Sequence, residues 1–171
     1  MIMKKLFYLF TVVSMLVAFA SCSSEPNDLP AEQSASATKS AQIIAAGGNT
    51  TQTEITFDKS DFAALEKYAK WVKSGKIETS SIISVKDITE SDVELTDVKL
   101  SLARNSKVSM NLPNITKNVD FKEIDHLNFL QNVVNEIAKS GSSKVVLSYR
   151  TTNTITKPVT FSIKIDANFK F

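Results

Sequence analysis

The chain is short of the side chains that do covalent chemistry. Its 171 residues hold one cysteine, one histidine and one tryptophan, with only four glycines and four prolines. A single cysteine, Cys22, cannot form an intramolecular disulfide or a CxxC redox centre. No G-x-S-x-G elbow, phosphate-binding Gly-rich loop or H-E-x-x-H zinc motif occurs. So few glycines and prolines predict long regular elements rather than a loop-rich scaffold. Stability must therefore come from burial.

What is present begins at the N-terminus. Lys4 and Lys5 form a basic start, Leu6 to Ala20 form an uncharged apolar run, and Phe19-Ala20-Ser21 places small residues before Cys22. A positive end, a short apolar core and a small-residue cut site make a secretory leader over residues 1–21. Fifteen apolar residues would make a helix of about 22 Å, short of the roughly 30 Å core of a bilayer, so a permanent membrane span is disfavoured. The cysteine at the cut resembles the lipobox of bacterial lipoproteins, with Phe19 where that box usually begins with Leu. The resemblance implies that Cys22 becomes a lipidated N-terminus and holds the protein at the outer membrane, on its periplasmic or its surface face. Two or more acyl chains hold a protein stably where one does not. With its thiol in a thioether, Cys22 could serve neither a zinc site nor a Cys-His nucleophile.

Removing residues 1–21 leaves 150 residues, enough for one domain with a full core. Lys4 and Lys5 are two of the twenty basic side chains, so the remainder carries eighteen of each sign. That balance gives no electrostatic reason to expect nucleic acid as a partner. Residues 22–50, rich in Ser, Ala, Thr, Gln and Asn, read as the lipidated cysteine and a flexible tether spanning roughly 30 Å. The single globular domain is expected over residues 54–171.

Within that domain Ser60 to Gly75 predict an amphipathic helix, with Phe62, Leu65, Ala69 and Val72 on one face. Strands follow over 77–85, 93–102 and 108–112. A change of parity across Thr96-Asp97 demands a bulge or turn, because one extra residue flips every later side chain. A second helix starts at Asp125 as cap, with Ile124 and Phe129 as a hydrophobic staple. Leu127, Leu130, Val134 and Ile137 are its buried stripe and Gly141 its stop. From Val159 to Phe171 odd positions are apolar, with Ala167 the weakest, and even positions polar: a half-buried antiparallel strand. This order predicts a mostly-β antiparallel sandwich with two amphipathic helices, or alternatively an α+β layer with both helices on one sheet face. The leader and element order together resemble small lipoproteins of the Bacteroidota envelope, which implies an immunoglobulin-like sandwich.

Few residues offer chemistry. His126, in the first turn of the second helix and beside its apolar stripe, reads as a partly buried structural residue. Asp87, Glu90, Asp92, Glu94 and Asp97 crowd one strand-turn-strand region, where paired carboxylates would suit a glycan-cleaving enzyme or a cation. Trp71 with Tyr68 is the better candidate for binding, since aromatic rings stack on sugars or anchor protein partners. The C-terminal Phe169-Lys170-Phe171 resembles the last strand of an outer-membrane barrel, but two intervening helices and too few strands oppose a barrel. The expectation is a lipid-anchored binding or structural module of the envelope, serving adhesion, polysaccharide capture or a surface complex through a glycan or another envelope protein, with no catalytic residue, metal or cofactor. The competing expectation is a small envelope enzyme acting on glycans.

Overall fold

Strict alternation makes the last strand the spine of the structure. The computed structural model describes residues 28–90 and 92–171; the leader, Cys22 and the first part of the tether lie outside them. β1 (Glu32–Ile43), β2 (Thr50–Asp58), β3 (Ser74–Ile77), β4 (Ile82–Lys86), β5 (Leu95–Leu102), β6 (Asn105–Asn111) and β7 (Val119–Phe121) are followed by helix α1 (Ile124–Ser140), then β8 (Ser142–Thr151) and β9 (Val159–Lys170). Val159, Phe161, Ile163, Ile165, Ala167 and Phe169 of β9 all point into the core. β9 pairs with β1 along one edge and with β3 and β4 along the other.

The strands form two antiparallel sheets, ordered β1-β9-β4-β7 with β3 also on β9, and β2-β8-β5-β6. Both contribute to one apolar core. The first strand pairs with the last, the second with the last but one, and β5–β6 is the innermost hairpin. That nesting is the double Greek key of a jelly roll. An immunoglobulin sandwich keeps its first two strands in one sheet; here β1 and β2 lie in different sheets, so the immunoglobulin-like order is corrected.

The parity change is a bulge, as the alternation required. The β5–β8 register shifts between Thr96 and Lys99, and Asp97 adopts a φ of 51°. Leu95 is buried before it and Val98, Leu100 and Leu102 after it. Aspartate is among the few residue types that enter the left-handed region at modest cost.

Two expectations fail. The tether is a strand from Glu32 on: Ala35, Ala37 and Ile43 are buried, and β1 runs antiparallel to β9 over its whole length. The first helix is replaced by three 3-10 turns at Lys59–Asp61, Ala63–Leu65 and Ala69–Trp71. Phe62, Leu65 and Val72 are buried as expected, because apolar residues three or four apart suit consecutive 3-10 turns as well as an α-helix. The chain leaves helical geometry early since the Lys73 amide already donates to the Lys170 carbonyl at 2.9 Å. Sheet pairing overrides local propensity here.

The second helix stands, with a different start. Glu123 is its N-cap, not Asp125, and Ile124 is 70% exposed, so no staple forms with buried Phe129. Gly141 ends it at a φ of 89°, its amide donating to Ile137 at 2.9 Å. The α1 side chain Gln131 accepts from the Ile77 amide at 2.8 Å and donates to the Gly75 carbonyl at 2.9 Å. A side-chain amide thereby completes the edge of β3, which would otherwise expose unpaired main-chain groups.

Candidate functional site

A groove of about 570 Å³ lies between β6 and the first half of α1. Lys107, Ser109 and Asn111 of β6 form one wall, and Asp125, His126, Asn128 and Asn132 of α1 form the other, with Glu123 and Pro113 at the ends. β6 is the last strand of its sheet. The Leu112 amide donates across to Val98 at 2.8 Å, and the β5–β6 register sets Met110 opposite Leu100. Alternation therefore points the main-chain groups of Ser109 and Asn111 away from β5 and along the groove side of the strand.

His126 lines this groove while only 4% exposed. Its Nδ1 is buried with no hydrogen-bond partner among the described residues. The nearest carboxylate oxygen, Glu123 Oε2, is 3.7 Å away, and the Phe121 ring packs beside the imidazole at 5.3 Å between centroids. An orphaned buried polar atom costs about 1–3 kcal/mol, so native structures leave few without a purpose. The sequence signal was faint: His126 shares the apolar stripe with Leu130, Val133 and Ile137, and is the stripe's only polar member.

The five carboxylates of residues 87–97 do not converge. Asp87 accepts from Thr160 at 2.6 Å, Glu90 from the Thr156 hydroxyl, Asp92 from Asn153, and Glu94 from Asn114 at 2.8 Å. Asp97 faces Arg150 at 3.7 Å. The Thr156 bond holds the Glu90 carboxyl below its usual value, whereas a glycosidase acid needs a raised one. No cluster of three or more His, Cys, Asp or Glu fit to hold a metal occurs among the described residues. Three of these carboxylates instead fasten the chain between β4 and β5 to β9 and the β8–β9 loop.

Asp166 is the buried carboxylate on the outer face of β9. Ser36 donates to it from β1, and Lys164 approaches at 2.7 Å. The Ser81 hydroxyl accepts from its amide and donates to its carbonyl. These contacts join β1, β9 and the β3–β4 turn and have the geometry of a structural clasp.

Trp71 ends the third 3-10 turn and Tyr68 is its N-cap, so the two do not share one helix, and both are half-buried. The Tyr68 ring meets Phe171 edge-on at 5.6 Å, and Lys70 Nζ stands 4.2 Å over the Trp71 ring.

No protein-family model and no curated protein matches the chain. Among solved structures, it is similar to the decameric BFDV capsid protein, at 11% identity and a TM-score of 0.43 over 81% of this chain and 99% of that one. The desmodium yellow mottle tymovirus structure gives 12% and 0.42 over 88% and 93%, and that of turnip yellow mosaic virus 10% and 0.41 over 88% and 87%. Likeness of this degree says nothing of function.

Proposed function

We propose that the chain is a lipid-anchored module of a bacterial cell envelope that binds an extended segment of another envelope protein and does not catalyse a reaction. The observation that carries the binding half is the orphaned His126 Nδ1 beside the open edge of β6. An extended peptide laid along that edge pairs its main chain with Ser109 and Asn111, as in strand addition. It also lies against the His126 ring, which lines the groove. The anchor rests on the leader and Cys22, which lie outside the described residues. The equal numbers of acidic and basic side chains beyond the leader give no pull towards nucleic acid. A glycan is the second reading, favoured by the amides of Asn111, Asn128 and Asn132 with the carboxylates of Glu123 and Asp125, which are the groups that bind sugar hydroxyls.

A peptide library and a glycan array, each screened with the mature domain, test both readings. His126 is the only histidine, so its ring resonances report groove occupancy directly. A selected peptide should shift them, and Ser109→Pro should weaken binding about tenfold, because it deletes an outward N–H that the sheet itself does not use. A glycan that shifts His126 but ignores Ser109→Pro favours the second reading. Ligands that move neither leave the groove unoccupied and refute both. Turnover of an envelope glycan by the pure domain would replace binding with catalysis.

A further inference from the structure

We propose that the end of the domain where the chain enters β1 rests on the phospholipid surface, with Trp71, Tyr68 and Phe171 as interfacial contacts and the surrounding lysines meeting anionic headgroups. The inference rests on acylation of Cys22 and deepens that reading by fixing which face meets the membrane.

The first observation is distance. β1 begins at Glu32, so residues 23–31 are all the chain that separates Cys22 from the sheet. Nine residues reach at most about 30 Å even when fully extended. The domain is therefore held against the bilayer by its β1 entrance.

The second observation is what surrounds that entrance. The Phe171 amide donates to the Ala31 carbonyl at 3.3 Å, and Glu32 lies opposite Lys170 in the sheet register. The Lys73 amide reaches the Lys170 carbonyl at 2.9 Å, Tyr68 packs on Phe171, and the Trp71 amide donates to the Tyr68 carbonyl at 2.9 Å. Three aromatic residues thus share the end of the molecule that the tether leaves.

The third observation is charge. Lys67, Lys70, Lys73 and Lys76 recur at every third position through this segment, and each is exposed. Lys170 joins them from β9, with Glu32 at 3.0 Å from its ammonium, so five lysines stand here against the three acids Glu32, Glu66 and Glu78. A chain balanced overall is locally basic here. Tryptophan and tyrosine are enriched at the membrane interface, and lysines at the surface are drawn to anionic lipid. The acyl chains supply the anchor, and this face supplies orientation.

Trp71 is the sole tryptophan of the whole sequence, so its fluorescence reads one site. The full acylated chain, reconstituted into phosphatidylethanolamine vesicles with a minority of phosphatidylglycerol and lipids brominated high on the acyl chain, should show Trp71 quenched about twofold. Lys70→Glu with Lys73→Glu should abolish that quenching while the protein stays vesicle-bound and keeps its circular dichroism. Lys117→Glu should change nothing, because it lies just before β7, which pairs with Val85 towards the opposite end of β9. Trp71 unquenched by bromolipid yet fully open to aqueous acrylamide in the anchored protein overturns the proposal. Fatty-acid labelling separates the two premises: if Cys22 carries no acyl chain, the anchor fails. The Cys22→Ser chain mixed with the same vesicles then decides the face, salt-sensitive quenching upholding it and no quenching overturning it.

Discussion

At the scale of single residues, Asp166 shows what alternation does and does not reveal. Period two puts it on the polar face of β9, which is correct, yet it is 8% exposed. The side chains that cover it come from β1 and the β3–β4 turn, far away in sequence. Burial opposes its ionisation, but bonds from Lys164, Ser36 and Ser80 outweigh that and hold the carboxyl below its ordinary value. A depressed folded pKa gives stability that is fully present above the unfolded value of about 3.9 and lost as pH falls through the folded one. Asp166→Asn should therefore cost about 1–3 kcal/mol at neutral pH, and melt with less acid sensitivity than wild type below about pH 4. Parallel Tm-versus-pH curves for the two proteins would remove Asp166 from the acid response. Phe161, with no exposed surface, should lose about 3–5 kcal/mol on truncation to Ala, as buried Phe typically does. Thr160→Ala, on the exposed face where Thr160 meets Asp87, should lose under about 1 kcal/mol. Denaturant melts of the pair check the facing of β9. His126 was legible as a residue of the helix stripe. That its Nδ1 is orphaned was not, because it depends on how β6 and the Phe121 ring close around the imidazole.

At the scale of elements, strong periodicity was readable and weak periodicity was not. β9 alternates Phe and Ile with Thr, Ser and Lys, so its pattern is plain. β1 alternates too, but its buried members are Ala35, Ala37 and Ile43, and alanine is depleted in strands. A Ser-Ala-Ser-Ala-Thr run carries a linker's composition and a strand's period, and its partner β9 decides between them. The segment from Ser60 to Gly75 failed for the opposite reason: its apolar spacing was right, and the helix type was set by pairing with β9. Gly75 explains how tightly α1 docks on β3. A Cβ there would stand 2.5 Å from Val134 Cγ1 and 3.0 Å from the Phe169 ring, both on fully buried side chains. Gly75→Ala should accordingly cost about 1–3 kcal/mol by overpacking. Adding Val134→Ala should cost less than the two single changes combined, since the second substitution opens the space the first one fills. Strict additivity in denaturant melts would mean that the helix moves as a body and the contact is not the constraint.

For the whole molecule, the elements were mostly visible in the sequence and the connectivity was not, because nothing local announces which strands pair. The clasp between Ser36 and Asp166 spans 130 positions of chain, and β1 meets β9 along twelve residue pairs. A jelly roll closes only when its first and last strands come together, and such long-range pairing makes folding slow. The chain from residue 54 onward, although it holds most of the apolar core, lacks one full edge of the sheet built on β9. Without β1, the β9 edge that received it exposes a long row of unpaired main-chain groups, and the chain loses the side chains of Ala35, Ala37 and Ile43 from the core. A chain starting at Thr50 should therefore bind a hydrophobic dye, lose its near-ultraviolet dichroism and unfold without a sharp transition, whereas one starting at Asp28 should melt cooperatively. Limited proteolysis of the longer chain should cut before Glu32 and spare β1, since an annealed strand does not fit a protease cleft. If the chain from Thr50 keeps native dichroism and a cooperative melt, β1 is an accessory to the fold.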